Sequence, residues 1–431
     1  MNILVVSDFE TQGGAAIAMR RVSDAIAGLG HNVQYVVCRT DAARSPVVPR
    51  QTDVLHWRSG TSAFGRLARK FLQPAGRISS DQQIVERSFV RILGRVKPDV
   101  INFSNIHNAV SAGWSERLLP IASRFAPVCW TLHDMWSFTG RCAYAHGCER
   151  FITGCNERCP TANEYPAMNP GLISSAWLSR RAMFAKLPEL TAVTTSRWMA
   201  GEAKRGMWSN HRVEVFHSGL PLHEYQLLDS GQARYELKIT PEGPVLLAAA
   251  VDWQSPHKGG ELLADCLRTM SPQRPTLLLL GGGELPGNLS GLNIVRLGFQ
   301  SEQRFKSVAM AAADCLVHPA TAENFSNVLL EAAACGLPAA AFAVGGNAEI
   351  ITDGQTGCIS RIVTGGGLAE ATMNTLELRK SRPNLREYIR TQAAQRFDVA
   401  KQARLYLGLF QSLIDDRTAA TRPRAAERIA L

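Results

Sequence analysis

Two glutamates stand eight residues apart, Glu323 in a polar loop and Glu331 inside an apolar run. The loop follows a short apolar strand, and a helix begins near Ser326, with Gly336 and Pro338 as its stop signals. A helix start presents backbone N–H groups without intrahelical partners, here those of Phe325, Ser326 and Asn327. Such an end suits a phosphate group. Glu323, in front of it, can accept hydrogen bonds from sugar hydroxyls. Glu331, within the helix, can accept them from a vicinal diol such as a ribose. The plainer account makes Glu323 a helix cap and Glu331 part of a solvated face. Leu329, Leu330, Ala332, Ala333 and Ala334 surround Glu331, however, and a carboxylate among apolar groups needs a partner.

Lys258 lies in Pro256-His257-Lys258-Gly259-Gly260, after an apolar strand and at a helix start. An ammonium there can sit on a diphosphate beside backbone donors; the alternative is a surface lysine in a turn. Gly281-Gly282-Gly283 follows the next strand and lets a nucleotide approach the backbone through Gly282, or is only a tight turn. Earlier in the chain, Trp130-Thr-Leu-His133-Asp134-Met-Trp136 ends a buried strand, the place where sites of parallel α/β sheets assemble. His133 is a candidate for chemistry there, and Asp134 either fixes its tautomer or caps the next turn. His107, at the end of the preceding strand, is a second candidate of the same kind. The first strand runs into Gly13-Gly14, a glycine turn before a helix.

Cys142, Cys148, Cys155 and Cys159 crowd one loop, spaced Cys-x5-Cys-x6-Cys-x3-Cys. Structural zinc favours pairs separated by two to four residues, and only the last pair fits. A structural zinc or a paired-thiol staple remain the two readings, with the cluster stiffening a long loop.

Two α/β series position these residues. Strands at 2–7, 33–37, 99–103, 127–132, 190–194 and 213–216 alternate with helices near 15–27, 81–96, 113–124, 174–186 and 196–205. A second series has strands at 245–251, 276–280, 293–297, 315–318 and 339–343. Two doubly wound α/β domains are expected: 1–216 and 243–397, joined by a linker at 217–242. A last helix spans about 398–414, and 415–431 reads as a disordered basic tail. No repeat of 20–50 residues is visible.

The formal net charge of +10 points to acidic partners such as nucleotide phosphates. Thr61 to Ser80 carries Arg66, Arg69, Lys70 and Arg77 between apolar residues, either a segment resting on an inner-membrane surface or a solvated helix face. The start shows no signal-peptide pattern and no apolar run is long enough to span a bilayer. With ten cysteines and no secretion signal, a cytoplasmic location is expected, peripheral on the inner membrane if the basic segment docks.

Taken together these residues resemble the retaining GT-B glycosyltransferases of family 4, most closely the colanic-acid and exopolysaccharide biosynthesis type. The most specific part is Glu323-x7-Glu331, followed by Ala-x-Ala-Cys-Gly-Leu-Pro and by Gly345-Gly346-x-x-Glu349-Ile-Ile-x-Asp-Gly-x-Thr-Gly357. The block from Trp130 to Cys142 resembles the subgroup in particular. The resemblance implies two Rossmann-like domains facing across a cleft, with the final helix returning to the first. It implies transfer of a hexose from a nucleotide-sugar to a lipid-linked or polysaccharide acceptor, with retention. Carried over, Glu331 would bind the ribose, Lys258 the diphosphate and Glu323 the transferred sugar. Gly13 and Gly14 would line the acceptor side, with His107 and Asp134, and His133 would sit by the sugar. Catalysis would need no cofactor or metal ion, as no Asp-x-Asp site accompanies the motifs. The family's phosphate-binding arginine, five or six residues before the lysine, falls here on Trp253 or Asp252. The alternatives are a nucleotide-sugar hydrolase or epimerase of the same fold, and a Cys-cluster module for nucleic acid. The basic residues are too dispersed for the latter, so no nucleic-acid partner is expected.

Overall fold

The structure, a computed structural model, describes residues 1–39, 53–56, 79–107, 114–287 and 289–421. The basic segment read at 61–80 therefore lies almost wholly outside the described residues. The chain forms two compact units: residues 1–195, 200–216 and 402–431, and residues 196–199 and 217–401.

The sheet of the first unit has seven strands: β1 (Asn2–Phe9), β2 (Asn32–Arg39), β3 (Asp53–His56), β4 (Val100–Ser104), β5 (Val128–Leu132), β6 (Thr191–Thr194) and β7 (Val213–Val215). They lie in the order β3-β2-β1-β4-β5-β6-β7, every pair parallel. Both faces of such a sheet are covered, and β4 and β5 are buried throughout. Inside the sheet Thr131 donates to Asn102 Oδ1 (3.0 Å) and meets the Tyr406 hydroxyl at 3.1 Å. Tyr406 belongs to the long last helix, Val399–Thr421, most of which counts with this unit.

The sheet of the second unit has six strands: β8 (Val245–Asp252), β9 (Thr276–Gly282), β10 (Asn293–Gly298), β11 (Cys315–His318), β12 (Ala339–Phe342) and β13 (Gly357–Ser360). Their order is β10-β9-β8-β11-β12-β13, again all parallel. Alternation along β8 sends Val245 and Leu247 into one core and Leu246 and Ala248 into the other. In each sheet the strand order reverses direction once, between β1 and β4 and between β8 and β11. Ligands of open parallel sheets bind outside the carboxyl ends of the strands at that reversal.

Several expectations are corrected. Residues 217–242 are no linker: Leu220, Tyr225 and Ala233 are core residues of the second unit, and Ser230–Glu236 is a helix capped by Asp229. The helix expected near 113–124 reduces to Leu119–Ala122 after a 3-10 turn at Glu116–Leu118, because Pro120 admits a helix only in its first turn. The tail does not start at 415. The last helix continues to Thr421, where Arg417 donates to the carbonyls of Ser123 (2.6 Å) and Arg124 (3.0 Å). No described helix is long and apolar enough to cross a membrane.

Candidate active site

Lys258 and Glu323 meet in the second unit. The Lys258 ammonium donates to Glu323 Oε2 at 3.2 Å, and His318 Nε2 lies 3.8 Å from the same oxygen. Lys258 follows β8 and His318 ends β11, so the cluster straddles the reversal point of its sheet. Two glycines allow the approach. Gly259 has φ +70, and a Cβ there would stand 2.0 Å from the Pro319 carbonyl oxygen; Gly345 has φ +55, and its Cβ would stand 1.6 Å from the Glu323 carbonyl oxygen. Only glycine fits either position.

The loop before the helix Asn327–Ala334 is held from three sides. Ser326 caps the helix by accepting the Leu329 N–H, Gly346 N–H donates to the Asn324 carbonyl (2.8 Å), and Ser196 Oγ donates to Asn324 Oδ1 (2.6 Å). Phe325 stacks on His217, ring centroids 5.0 Å apart, and His217 Nε2 lies 2.9 Å from Glu349. Burial raises the Glu323 pKa, but Lys258 and then His318 more than reverse this, so the carboxyl stays ionised. Burial pushes His318 down to about 4, and Lys258 adds to that against Glu323.

Glu331 is buried, as its apolar flanks demanded, and it has partners: the Tyr225 hydroxyl donates at 3.0 Å and Lys306 Nζ lies at 3.6 Å. Gly282 ends β9, its carbonyl accepting the Trp253 N–H (3.0 Å). At the positions where the resemblance would place an arginine, Trp253 is buried with its indole N–H on the Leu280 carbonyl (3.0 Å), and Asp252 accepts the Gln254 N–H (3.0 Å). Neither supplies a cation.

A second cluster lies in the first unit, across the reversal point of that sheet. His107 donates its backbone N–H to Asp8 Oδ2 (2.9 Å), and its Nε2 lies 2.6 Å from Asp134 Oδ2. The other Asp134 oxygen accepts the Trp136 N–H (2.9 Å). His133 turns elsewhere, its Nε2 3.1 Å from Ser104 Oγ. Of the two roles expected for Asp134, it takes the capping of the following turn, and the ring it orients is that of His107, not of the neighbouring His133. His107, His133 and Asp134 line one pocket with Trp130 and Trp136. Gly13, with φ +90, precedes the helix Gly14–Gly28, and a Cβ on it would meet nothing within 4 Å.

All four clustered cysteines are free thiols, and among the described residues no three His, Cys, Asp or Glu side chains converge as metal ligands would. Arg141 holds the loop: buried, it donates to the carbonyls of Pro166 (2.9 Å), Glu164 (2.7 Å) and Thr161. Asp8, Tyr225, Lys306, His318 and Arg141 were all missed from sequence. His318 alone had a visible signal, a histidine closing a buried strand before the loop of Glu323.

Comparison with known proteins finds glycosyltransferases along both units. The profile described as "Glycosyltransferase Family 4" matches residues 12–224, and that described as "Glycosyl transferases group 1" matches residues 243–377. The colanic acid biosynthesis glycosyl transferase WcaC of Escherichia coli is 28% identical over 211 residues, 48% of this chain and 50% of WcaC. D-inositol 3-phosphate glycosyltransferase of Jonesia denitrificans is 32% identical over 167 residues, 34% of this chain and 39% of that protein. The chain thus spans half or less of the length of these curated relatives. Among solved structures, sucrose-phosphate synthase of Thermosynechococcus elongatus superposes with TM-score 0.69 at 19% identity, covering 96% of this chain and 99% of that one. Anabaena HepE in complex with UDP-glucose gives TM-score 0.65 at 19% identity, covering 95% and 99%. Matched by glycosyltransferase profiles over both units and sharing the GT-B fold, the chain belongs to the family 4 glycosyltransferases.

Proposed function

We propose that this chain transfers a hexose from a nucleotide-sugar to a glycan or lipid-linked sugar acceptor, with retention, in the making of a cell-surface polysaccharide. The observation that carries this is the Lys258–Glu323 ion pair at the reversal point of the second sheet, beside a capped helix start. The HepE structures with UDP and with UDP-glucose support a nucleotide-sugar as donor, and WcaC supports polysaccharide synthesis.

Each residue has a role set by its chemistry. Lys258 exchanges its carboxylate partner for the donor diphosphate, and its charge stabilises the negative charge that builds on the leaving group. The backbone donors of Phe325, Ser326 and Asn327 add to that field, and Gly282 admits the nucleotide close to the chain. Glu323, ionised, only accepts hydrogen bonds, so it orients the sugar hydroxyls and donates no proton. Glu331 takes the ribose diol, steered by Tyr225 and Lys306. On the first unit, Gly13, Gly14, His107 and Asp134 serve the acceptor, and His133 a sugar hydroxyl. The acceptor attacks on the face the diphosphate leaves, and the leaving phosphate takes its proton.

Thermal unfolding with UDP, GDP and ADP tests donor binding, since a ligand of the folded state raises its stability by mass action. One nucleotide should raise Tm, and Lys258→Ala should abolish the rise. Nucleotide release from the matching nucleotide-sugar should then require an acceptor glycan. Release without one would assign a hydrolase, and full turnover in Glu323→Ala would overturn the site.

A further inference from the structure

At the carboxyl ends of β1, β4 and β5 the first unit places a carboxylate, an imidazole and a second carboxylate in sequence: Asp8, His107 and Asp134. Both oxygens of Asp134 are engaged, Oδ2 by His107 Nε2 at 2.6 Å and Oδ1 by the Trp136 N–H at 2.9 Å. His133, next to Asp134 in the chain, is bound instead to Ser104. We propose that His107 is a positioning residue that ties up the charge of Asp134, so that His133 meets the sugar as a neutral imidazole. The part about the sugar rests on the function proposed above.

The physical reason is a competition for one carboxylate. An uncompensated Asp134 would draw a proton onto the adjacent ring, since an opposite charge close by favours the charged form of a base. With His107 on it, burial decides instead: it pushes His133 down to about 4, with Asp134 opposing and His107 assisting. Burial also works against a charged His107, but Asp134, seconded by Asp8, outweighs it and Arg180, and the His107 pKa is raised. The remaining neighbours fit this division. Arg180 stacks on Trp136 and lies 3.8 Å from Glu116, and the Tyr165 ring stands edge-on to His107 at 5.9 Å. A neutral His133 carries one donor and one acceptor nitrogen, whereas an imidazolium only donates. It also spares an oxocarbenium-like sugar a second positive charge.

Nitrogen-15 NMR titration of the histidines in the full chain tests this without relying on activity. In the unsubstituted protein at neutral pH, His133 should show one protonated ring nitrogen, and the His107 midpoint should lie above that of a free imidazole. In His107→Gln the His133 midpoint should rise by about one pH unit or more. The double variant His107→Gln/Asp134→Asn should bring it back to its original value, which a merely structural role for His107 would not do. The acid limb of the pH–rate profile should move with the midpoint. A His133 midpoint unmoved in His107→Gln overturns the proposal, and so does a doubly protonated His133 in the unsubstituted protein. If the midpoints shift but no nucleotide-sugar is turned over, the transferase reading fails and the charge division stands.

Discussion

Glu323 keeps Lys258 at 3.2 Å and His318 at 3.8 Å, and acid should act on the two carboxylate neighbours in different windows. Lys258 and His318 overcome burial to hold the Glu323 pKa below its ordinary 4.5. A carboxyl depressed in the folded state contributes stability above its unfolded pKa and loses it as pH falls through the folded one. His318, lowered by burial from 6.5 to about 4, loses its contribution earlier, as pH falls from 6.5 towards 4. Glu323→Gln should therefore destabilise the protein by about 1.5–3 kcal/mol at neutral pH, the worth of a hydrogen bond to a charged group. That deficit should shrink as the unsubstituted protein is taken below its unfolded carboxyl pKa. Tm measured against pH for the two proteins checks it; a gap of constant size would mean that the ion pair adds no stability. At Glu331, removing the Tyr225 hydroxyl leaves a buried carboxylate with one hydrogen bond fewer.

The turn at Gly345-Gly346 decides where the Glu323 loop sits. Gly345→Ala combines a left-handed backbone, costing about 1–2 kcal/mol for a residue with a Cβ, with a clash against the Glu323 carbonyl at 1.6 Å. Gly354→Ala shares the backbone cost at φ +69, but its Cβ would meet nothing within 4 Å. The first substitution should lower both Tm and sugar turnover, the second Tm alone, and equal losses of turnover would sink the assignment. This turn, the strand before the loop and the helix stop at Gly336 were legible because each is a local pattern of glycine, proline and apolar runs. Lys306 and Tyr225 were not, since they reach Glu331 from elements 25 and 106 residues earlier in the chain. The pairing of His107 with Asp134 depends on β4 and β5 being neighbours in a parallel sheet, which spacing along the chain does not encode. Residues 217–242 misled because polar side chains outnumber the few apolar ones, Leu220 and Tyr225 among them, that anchor the stretch in the core. The cysteines drew attention by type, while Arg141 in their midst, which does the holding, looked like any surface arginine.

Both sheets repeat one strand order, and each carries its charged cluster at the same topological point, yet the clusters differ in sign and purpose. The second unit offers an ammonium and a helix start to an anionic ligand; the first offers imidazoles and carboxylates, suited to hydroxyls. A nucleoside diphosphate should therefore act on one unit. By mass action it adds about 2.7 kcal/mol at one hundred times its Kd, and that stabilisation belongs to the cooperative element that holds it. Hydrogen exchange with the nucleotide found by thermal unfolding should slow around 257–260, 281–283 and 323–331, and along β8 and β11 that support those loops. The strands β1, β4 and β5 should exchange at unchanged rates. With a net charge of +10 on the chain, the binding should also weaken as salt is raised, since screening acts on the approach of a multiply charged anion. Protection centred on β1, β4 and β5 instead would place the donor in the first unit, and the roles given to Lys258 and Glu331 would have to be abandoned.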